Sequence, residues 1–117
     1  MSLVRLGLVQ GRHEITSDDG EKVTQFIFPN QINDPNDFRT MERHCYNFFN
    51  GIFLNERDEY DDNFVLEIYV TGLSQALTSS LIEVRQVIKE WDSMHSTTVF
   101  LMHFNRETGG YDRQIYI

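Results

Sequence analysis

Residues 64–104, FVLEIYVTGLSQALTSSLIEVRQVIKEWDSMHSTTVFLMHF, decide the fold. Phe64 to Val70 is apolar at nearly every position, which suits a strand covered on both faces. Thr71-Gly72-Leu73-Ser74 breaks that pattern. Leu73, Leu77, Leu81, Val84, Ile88 and Trp91 then recur at spacings of three and four, the period of a helix. The spacing predicts the longest helix of the chain over about Ser74 to Trp91. Asp92 to Ser96 reads as a loop, and Thr97 to Phe104 is a β-branched and aromatic run, hence a second strand. A strand, a helix and a strand in succession are nearly always joined as a right-handed parallel crossover. The stretch therefore predicts a Rossmann-like β-α-β core.

Outward from this core, Asn105 to Gly110 reads as a turn and Tyr111 to Ile117 as a closing strand. On the other side, Asn55 to Asn63 is an acidic, solvated loop. Before it, Phe38, Met41, Cys45, Phe48, Phe49 and Ile52 fall at helical spacing. Asp34-Pro35-Asn36-Asp37 offers a capping carboxylate with proline at the first helical position, and Asn50-Gly51 weakens the far end, so a helix is expected over about Asp37 to Asn50. At the N-terminus, Val4, Leu6 and Leu8 alternate with Arg5, Gly7 and Val9 at the period of a strand, from about Leu3 to Gln10 or on to Ile15. Ser17-Asp18-Asp19-Gly20-Glu21 has turn chemistry and Val23 to Phe28 is a second β-branched and aromatic run, which together read as an N-terminal hairpin over residues 1–28. The expected order is ββαβαββ: one α/β domain spanning residues 1–117, a small mixed-sheet sandwich with hairpin 1–28, acidic loop 55–63 and core 64–104.

Composition excludes several classes of function. A chain of 117 residues is one domain's worth, and 40% hydrophobic with 13% aromatic content carries enough apolar surface to offset chain entropy, so it is not a disordered tail. Cys45 stands alone and forms no internal disulfide. No apolar run approaches the roughly 20 residues needed to span a bilayer, and Met1 to Val9 reads as a strand rather than a leader, which together predict a reduced, cytoplasmic setting. The net charge of −8 opposes the phosphate neutralisation that drives binding to duplex nucleic acid, and it disfavours anionic membranes. Half of that charge sits in Glu56, Asp58, Glu59, Asp61 and Asp62, offset only by Arg57. Such a patch is either solvation or a surface that meets a basic groove on another protein. Elsewhere the first thirteen residues carry Arg5 and Arg12 without any acid, and Arg106 and Arg113 balance Glu107 and Asp112, so a small anionic ligand has local basic ground to meet.

Three segments are candidate ligand-binding elements. Ile68 to Leu77 combines a buried strand, a small-residue turn and a helix N-terminus at the carboxyl end of a parallel strand, where α/β sheets collect ligands. Thr71, Gly72 and Ser74 there could meet a phosphate or carboxylate with hydroxyls and backbone amides, or Thr71 or Ser74 could merely cap the helix. Phe104 to Arg113 leaves its strand on the same sheet edge, so Arg106 could clamp a phosphate and Asn105 could read a base edge or a ribose hydroxyl; the alternative is a plain hairpin turn with a solvated Arg-Glu pair. Gln10-Gly11-Arg12-His13 is the third, with a strand end as its alternative. No catalytic or metal set stands out: His13, His44, His95 and His103 lack ligand spacing, and Cys45 falls on the apolar stripe of its helix.

The blocks Ile-Tyr-Val-Thr-Gly-Leu-Ser-Gln-Ala-Leu and Leu-Met-His-Phe-Asn-Arg-Glu-Thr-Gly-Gly-Tyr resemble those of small phage and mobile-element proteins. In layout they are also similar to Rossmann-like domains that bind cyclic nucleotides, such as CARF sensors and the sponge proteins with which phages sequester immune signalling nucleotides. The resemblance covers about the last 55 residues. It implies a non-enzymatic binder of a nucleotide signal with no further cofactor, in which Thr71, Gly72, Ser74, Asn105 and Arg106 are the carried positions. The apolar C-terminal run of Tyr111, Ile115, Tyr116 and Ile117 predicts packing into the chain's own core or a homodimer in which Arg106 or Arg113 reaches a neighbour's site.

Overall fold

The computed structural model describes residues 2–11, 14–29, 32–56, 63–91 and 96–117. The elements follow the expected order: β1 (Ser2–Val9), β2 (Phe26–Phe28), α1 (Phe38–Glu56), β3 (Asn63–Tyr69), α2 (Ser74–Trp91), β4 (Ser96–Phe104) and β5 (Tyr111–Ile115). They form one five-stranded mixed sheet in the order β2-β1-β3-β4-β5. The β3-α2-β4 unit is parallel, with Leu66 opposite Val99 and Ile68 opposite Leu101. β5 returns antiparallel to β4, Phe104 facing Tyr111.

Strand alternation divides the core between two faces. Val4, Leu6 and Leu8 of β1, Phe64, Leu66 and Ile68 of β3 and Val99 and Leu101 of β4 form one cluster with Met41, Cys45, Phe49 and Phe53 of α1 and Ala76, Val84 and Val87 of α2. Both helices lie on this face and run side by side in the same direction, tied by Trp91 Nε1 donating to Asn50 Oδ1 at 2.9 Å and the Tyr46 hydroxyl donating to the Glu90 carboxylate. The molecule is 20 Å across its thinnest axis, as one helix layer on one sheet requires. α1 continues past Gly51 because Ile52 and Phe53 become buried there. Each such side chain stabilises by about 1.5–3 kcal/mol, more than the roughly 1 kcal/mol that a helical glycine costs. The helix begins at Phe38 because Asp37 itself is the cap, accepting the Thr40 amide at 3.2 Å and its hydroxyl at 2.8 Å.

The N-terminal hairpin is the main correction. β1 and β2 pair in parallel, Gly7 opposite Phe26 and Val9 opposite Phe28. The turn at 17–21 does form, but it closes a miniature ribbon with a single bridge, Thr16 to Lys22, inside the connection between the strands. That connection, residues 10–25, is long enough for a parallel crossover, which takes about a dozen residues. It covers the sheet face opposite the helices: Ile15 and Val23 pack on Tyr69 and Met102, flanked by Phe26, Phe100 and Tyr111. Gly7 is required beneath it, since a Cβ there would stand 2.3 Å from the Phe26 ring. At the other end of the chain Tyr116 packs against the chain's own core and donates its hydroxyl to the Leu81 carbonyl at 3.0 Å.

Candidate functional site

In the order β2-β1-β3-β4-β5 the chain moves one way from β1 to β2 and the other way from β2 to β3. The strand order therefore reverses between β1 and β3, and the crevice at their carboxyl ends is where such sheets place ligands. A cleft of about 630 Å³ lies beside that point, at the carboxyl ends of β3 and β4. The connection after β1 contributes Glu14; the segment after β3 contributes Val70, Thr71 and Gly72; the end of β4 and its turn contribute His103, Phe104 and Arg106, with Tyr111 opposite.

Local structure explains each position. Val70 still donates its amide to the Met102 carbonyl at 3.0 Å, after which Gly72 takes φ +78, a left-handed conformation open to glycine at little cost, and turns the chain into α2. This turn leaves the Thr71 hydroxyl oxygen buried without a hydrogen-bond partner among the described residues. In the turn after β4, Asn105 Oδ1 accepts the Glu107 and Thr108 amides at 2.9 and 3.4 Å, and the Asn105 amide donates to the Gly110 carbonyl at 2.8 Å. Arg106 projects from this hydrogen-bonded turn, exposed and without an ion-pair partner among the described residues. Phe104 is 54% exposed and packs edge-on to Tyr111, which packs edge-on to buried Tyr69.

Of the residues expected from sequence, Thr71, Gly72 and Arg106 converge in this cleft. The solvated Arg106 to Glu107 pair does not form among the described residues. Asn105 does not line the cleft: both ends of its side chain are used, Nδ2 donating to Asp112 Oδ2 at 3.1 Å. Ser74 faces a different hollow between the helices, with Phe38, Glu42, Gln75 and Ile82, and its hydroxyl donates to Gln75 Oε1. Neither Thr71 nor Ser74 caps α2; Leu73 is the residue whose carbonyl accepts the Leu77 amide at 3.2 Å. Arg113 points along the sheet face instead, over the Phe100 ring at 4.3 Å and onto Glu67. Arg12 lies outside the described residues, as do Asp58, Glu59, Asp61 and Asp62 of the acidic stretch; Glu56 ends α1 as an exposed residue.

The sequence reading missed a buried carboxylate. Glu67 is 2% exposed in the middle of β3, directly opposite Arg5 of β1. It accepts Arg5 Nε at 3.1 Å, Arg113 Nη2 at 2.6 Å and the Tyr69 hydroxyl at 3.3 Å. Burial, followed by the charge of Glu67, pushes the Tyr69 phenol up to about 12. Burial works against Arg5, yet its bonds to Glu67 and Asp19 outweigh that and raise it above the ordinary arginine value. Asp19 is held at about 2 by the Ser17 hydroxyl, the Glu21 amide and Arg5. Asp18 accepts the Tyr111 amide at 3.2 Å, so the 14–23 ribbon is tied both to the sheet and to the rim of the cleft. The available signal was the lone acid in an otherwise apolar run.

Cys45 is fully buried against Ser80, and burial lifts its thiol to about 12, the condition of a packing residue rather than a nucleophile. Among the described residues no cluster of three His, Cys, Asp or Glu is placed to hold a metal ion, and no helix is long and apolar enough to cross a membrane. No protein-family model, curated protein or solved structure matches the chain.

Proposed function

We propose that this protein binds a phosphorylated small ligand of the nucleotide type in the cleft at the carboxyl ends of β3 and β4, and holds it without cleaving it. The observation that carries the reading is the meeting, in one cleft at the carboxyl ends of β3 and β4, of a guanidinium (Arg106) and a hydroxyl (Thr71) that have no partner among the described residues, the glycine turn at Gly72 and the half-exposed ring of Phe104. A guanidinium and a hydroxyl suit phosphate oxygens, and an exposed aromatic ring suits a base. The volume falls within the range typical of small-molecule sites, about 300–1,000 Å³.

Thermal melting against a panel of cyclic and linear nucleotides tests the reading. A ligand present at about 100 times its Kd stabilises the folded chain by about 2.7 kcal/mol, and Arg106→Ala removes that gain. Recovery of the nucleotide intact after long incubation is expected. Absence of a shift with every member of the panel overturns the proposal, and recovery of a cleaved product overturns its non-enzymatic half.

A further inference from the structure

We propose that the seam between α1 and α2 docks a basic amphipathic helix of another protein, which seats an apolar side chain between Phe38 and Ile82 and a lysine or arginine on Glu42 and Glu83. The carboxyl halves of the two helices are tied across the seam by Tyr46 to Glu90 and Trp91 to Asn50. Cys45 and Ser80 meet at 3.6 Å halfway along. Nearer the amino ends no side-chain hydrogen bond or ion pair crosses the seam among the described residues. A hollow of about 440 Å³ opens there, with buried Ser79 in its lining, and it shares no lining residue with the cleft at β3 and β4. Phe38 on one wall is 52% exposed and Ile82 on the other 49%. One exposed apolar side chain is ordinary, but two lining one groove form a contiguous patch.

The charges of the seam fix the chemistry of the partner. Glu42 and Glu83 are half-buried, and neither has a hydrogen-bond or ion-pair partner among the described residues. Burial, followed by the charges of Glu42 and Glu90, pushes the Glu83 carboxyl above its ordinary value. Like charges so placed oppose the packing of the helices, and a cation laid between them removes that opposition. The helices' own basic residues are directed elsewhere. Arg39 and Arg43 act on Asp37 at the start of α1, adding to the Thr40 bonds that lower its carboxyl. On α2, Arg85 points about 200° away from Glu83, and Lys89 stands about 10 Å further along the helix than Ile82. A groove between two helices that is apolar beside acids suits the helix-in-groove mode, with a basic-flanked apolar stripe on the incoming helix. A small amine would meet the carboxylates and leave Phe38 and Ile82 in water, whereas a helix covers both. The net charge of −8 draws a basic partner in.

Fluorescence anisotropy tests the proposal, with the whole chain titrated into a dye-labelled synthetic helix of about 18 residues that carries leucines at i, i+3, i+4 and i+7 and lysines beside them. The control peptide has glutamates in place of the lysines. The lysine peptide should bind saturably, about tenfold or more tightly than the control, and more weakly as salt rises. Glu42→Gln combined with Glu83→Gln should weaken it about tenfold or more, and so should Ile82→Ser. These side chains all reach solvent, so circular dichroism of both variants should match the parent. Equal binding of the two peptides, or of neither, overturns the proposal. Binding that survives both variants but is lost when the acids of 56–62 are replaced by their amides places the contact on the acidic stretch, and also overturns it. A dimer of the chain that Ile82→Ser dissociates, read by light scattering, makes a second copy the occupant and overturns the choice of partner.

Discussion

Replacing Arg5 by methionine should destabilise the fold far more than the same change at Arg113, although both contact one carboxylate. The Glu67 side chain is 3% exposed, against 23% for Arg5 and 53% for Arg113. Removing one partner from a buried ion pair costs about 3–5 kcal/mol, because a desolvated charge is left behind. Arg113 at 2.6 Å and the Tyr69 hydroxyl still serve Glu67 in the variant, which places Arg5→Met at the lower end, about 3 kcal/mol. For a chain of this length that corresponds to a fall in Tm of about 10–15 °C. Arg113→Met loses a half-exposed, solvent-screened partner and should cost about 1 kcal/mol or less. Arg5→Met combined with Glu67→Met removes the buried charge together with its partner and should return stability to within about 1 kcal/mol of the parent. Urea unfolding followed by far-ultraviolet circular dichroism, with an unchanged m-value, reads all three. An Arg5→Met variant within about 0.5 kcal/mol of the parent, or a double variant no more stable than the single one, would refute the reasoning, since ordinary surface changes fall in that range.

Stability should also follow pH through two of these groups. The Asp19 carboxyl lies below its ordinary value at about 2, so its contribution is complete above pH 4 and disappears as pH falls toward 2; Asp19→Asn should flatten that limb of an acid-unfolding curve. The Tyr69 phenol lies above its ordinary value at about 12, so its contribution is complete below pH 10 and is lost as pH rises toward 12, which the tyrosinate absorbance difference between parent and Tyr69→Phe measures. Cys45 should resist a disulfide-exchange reagent at neutral pH in the folded chain and react at once in denaturant; rapid labelling of the folded chain would contradict its burial. β5 is an edge strand with Ile115 66% exposed, which predicts a twofold dimer; light scattering should give twice the monomer mass at micromolar concentration, reduced by Ile115→Lys, whereas a monomer in both cases would leave Tyr116 as sufficient anchorage for the C-terminus.

What could be read from sequence depended on whether the deciding interactions were local. The bounds of α2 at Ser74 and Trp91 follow from a helical period bounded by a Thr-Gly break, both carried by neighbouring residues. The carboxyl ends of β3 and β4 follow from the parallel crossover rule, so Thr71, Gly72 and Arg106 were legible as neighbours. Ser74 was misplaced because helical residues one position apart point about 100° apart, which turns its side chain toward α1. Arg113 was misplaced because strand residues alternate between faces, and its face is that of Glu67. The turn at 17–21 was correctly read as a turn, but whether the strands around it pair with each other depends on where β2 docks along β1, a contact absent from the turn's own chemistry. Glu67 escaped notice for the same reason. Its partners Arg5 and Arg113 lie 62 and 46 residues away, and only the sheet register brings them together.

Nuclear magnetic resonance titration of the isotopically labelled chain with 3′,5′-cyclic AMP and 3′,5′-cyclic GMP tests the placement of the site most directly. We expect saturable shifts of the Thr71, Gly72, Phe104 and Arg106 amides, with the amides of the separate hollow formed by Phe28, Met41 and His44 unmoved. Shifts confined to that second hollow, or no saturable shift at any amide, would contradict a nucleotide site at the carboxyl ends of β3 and β4.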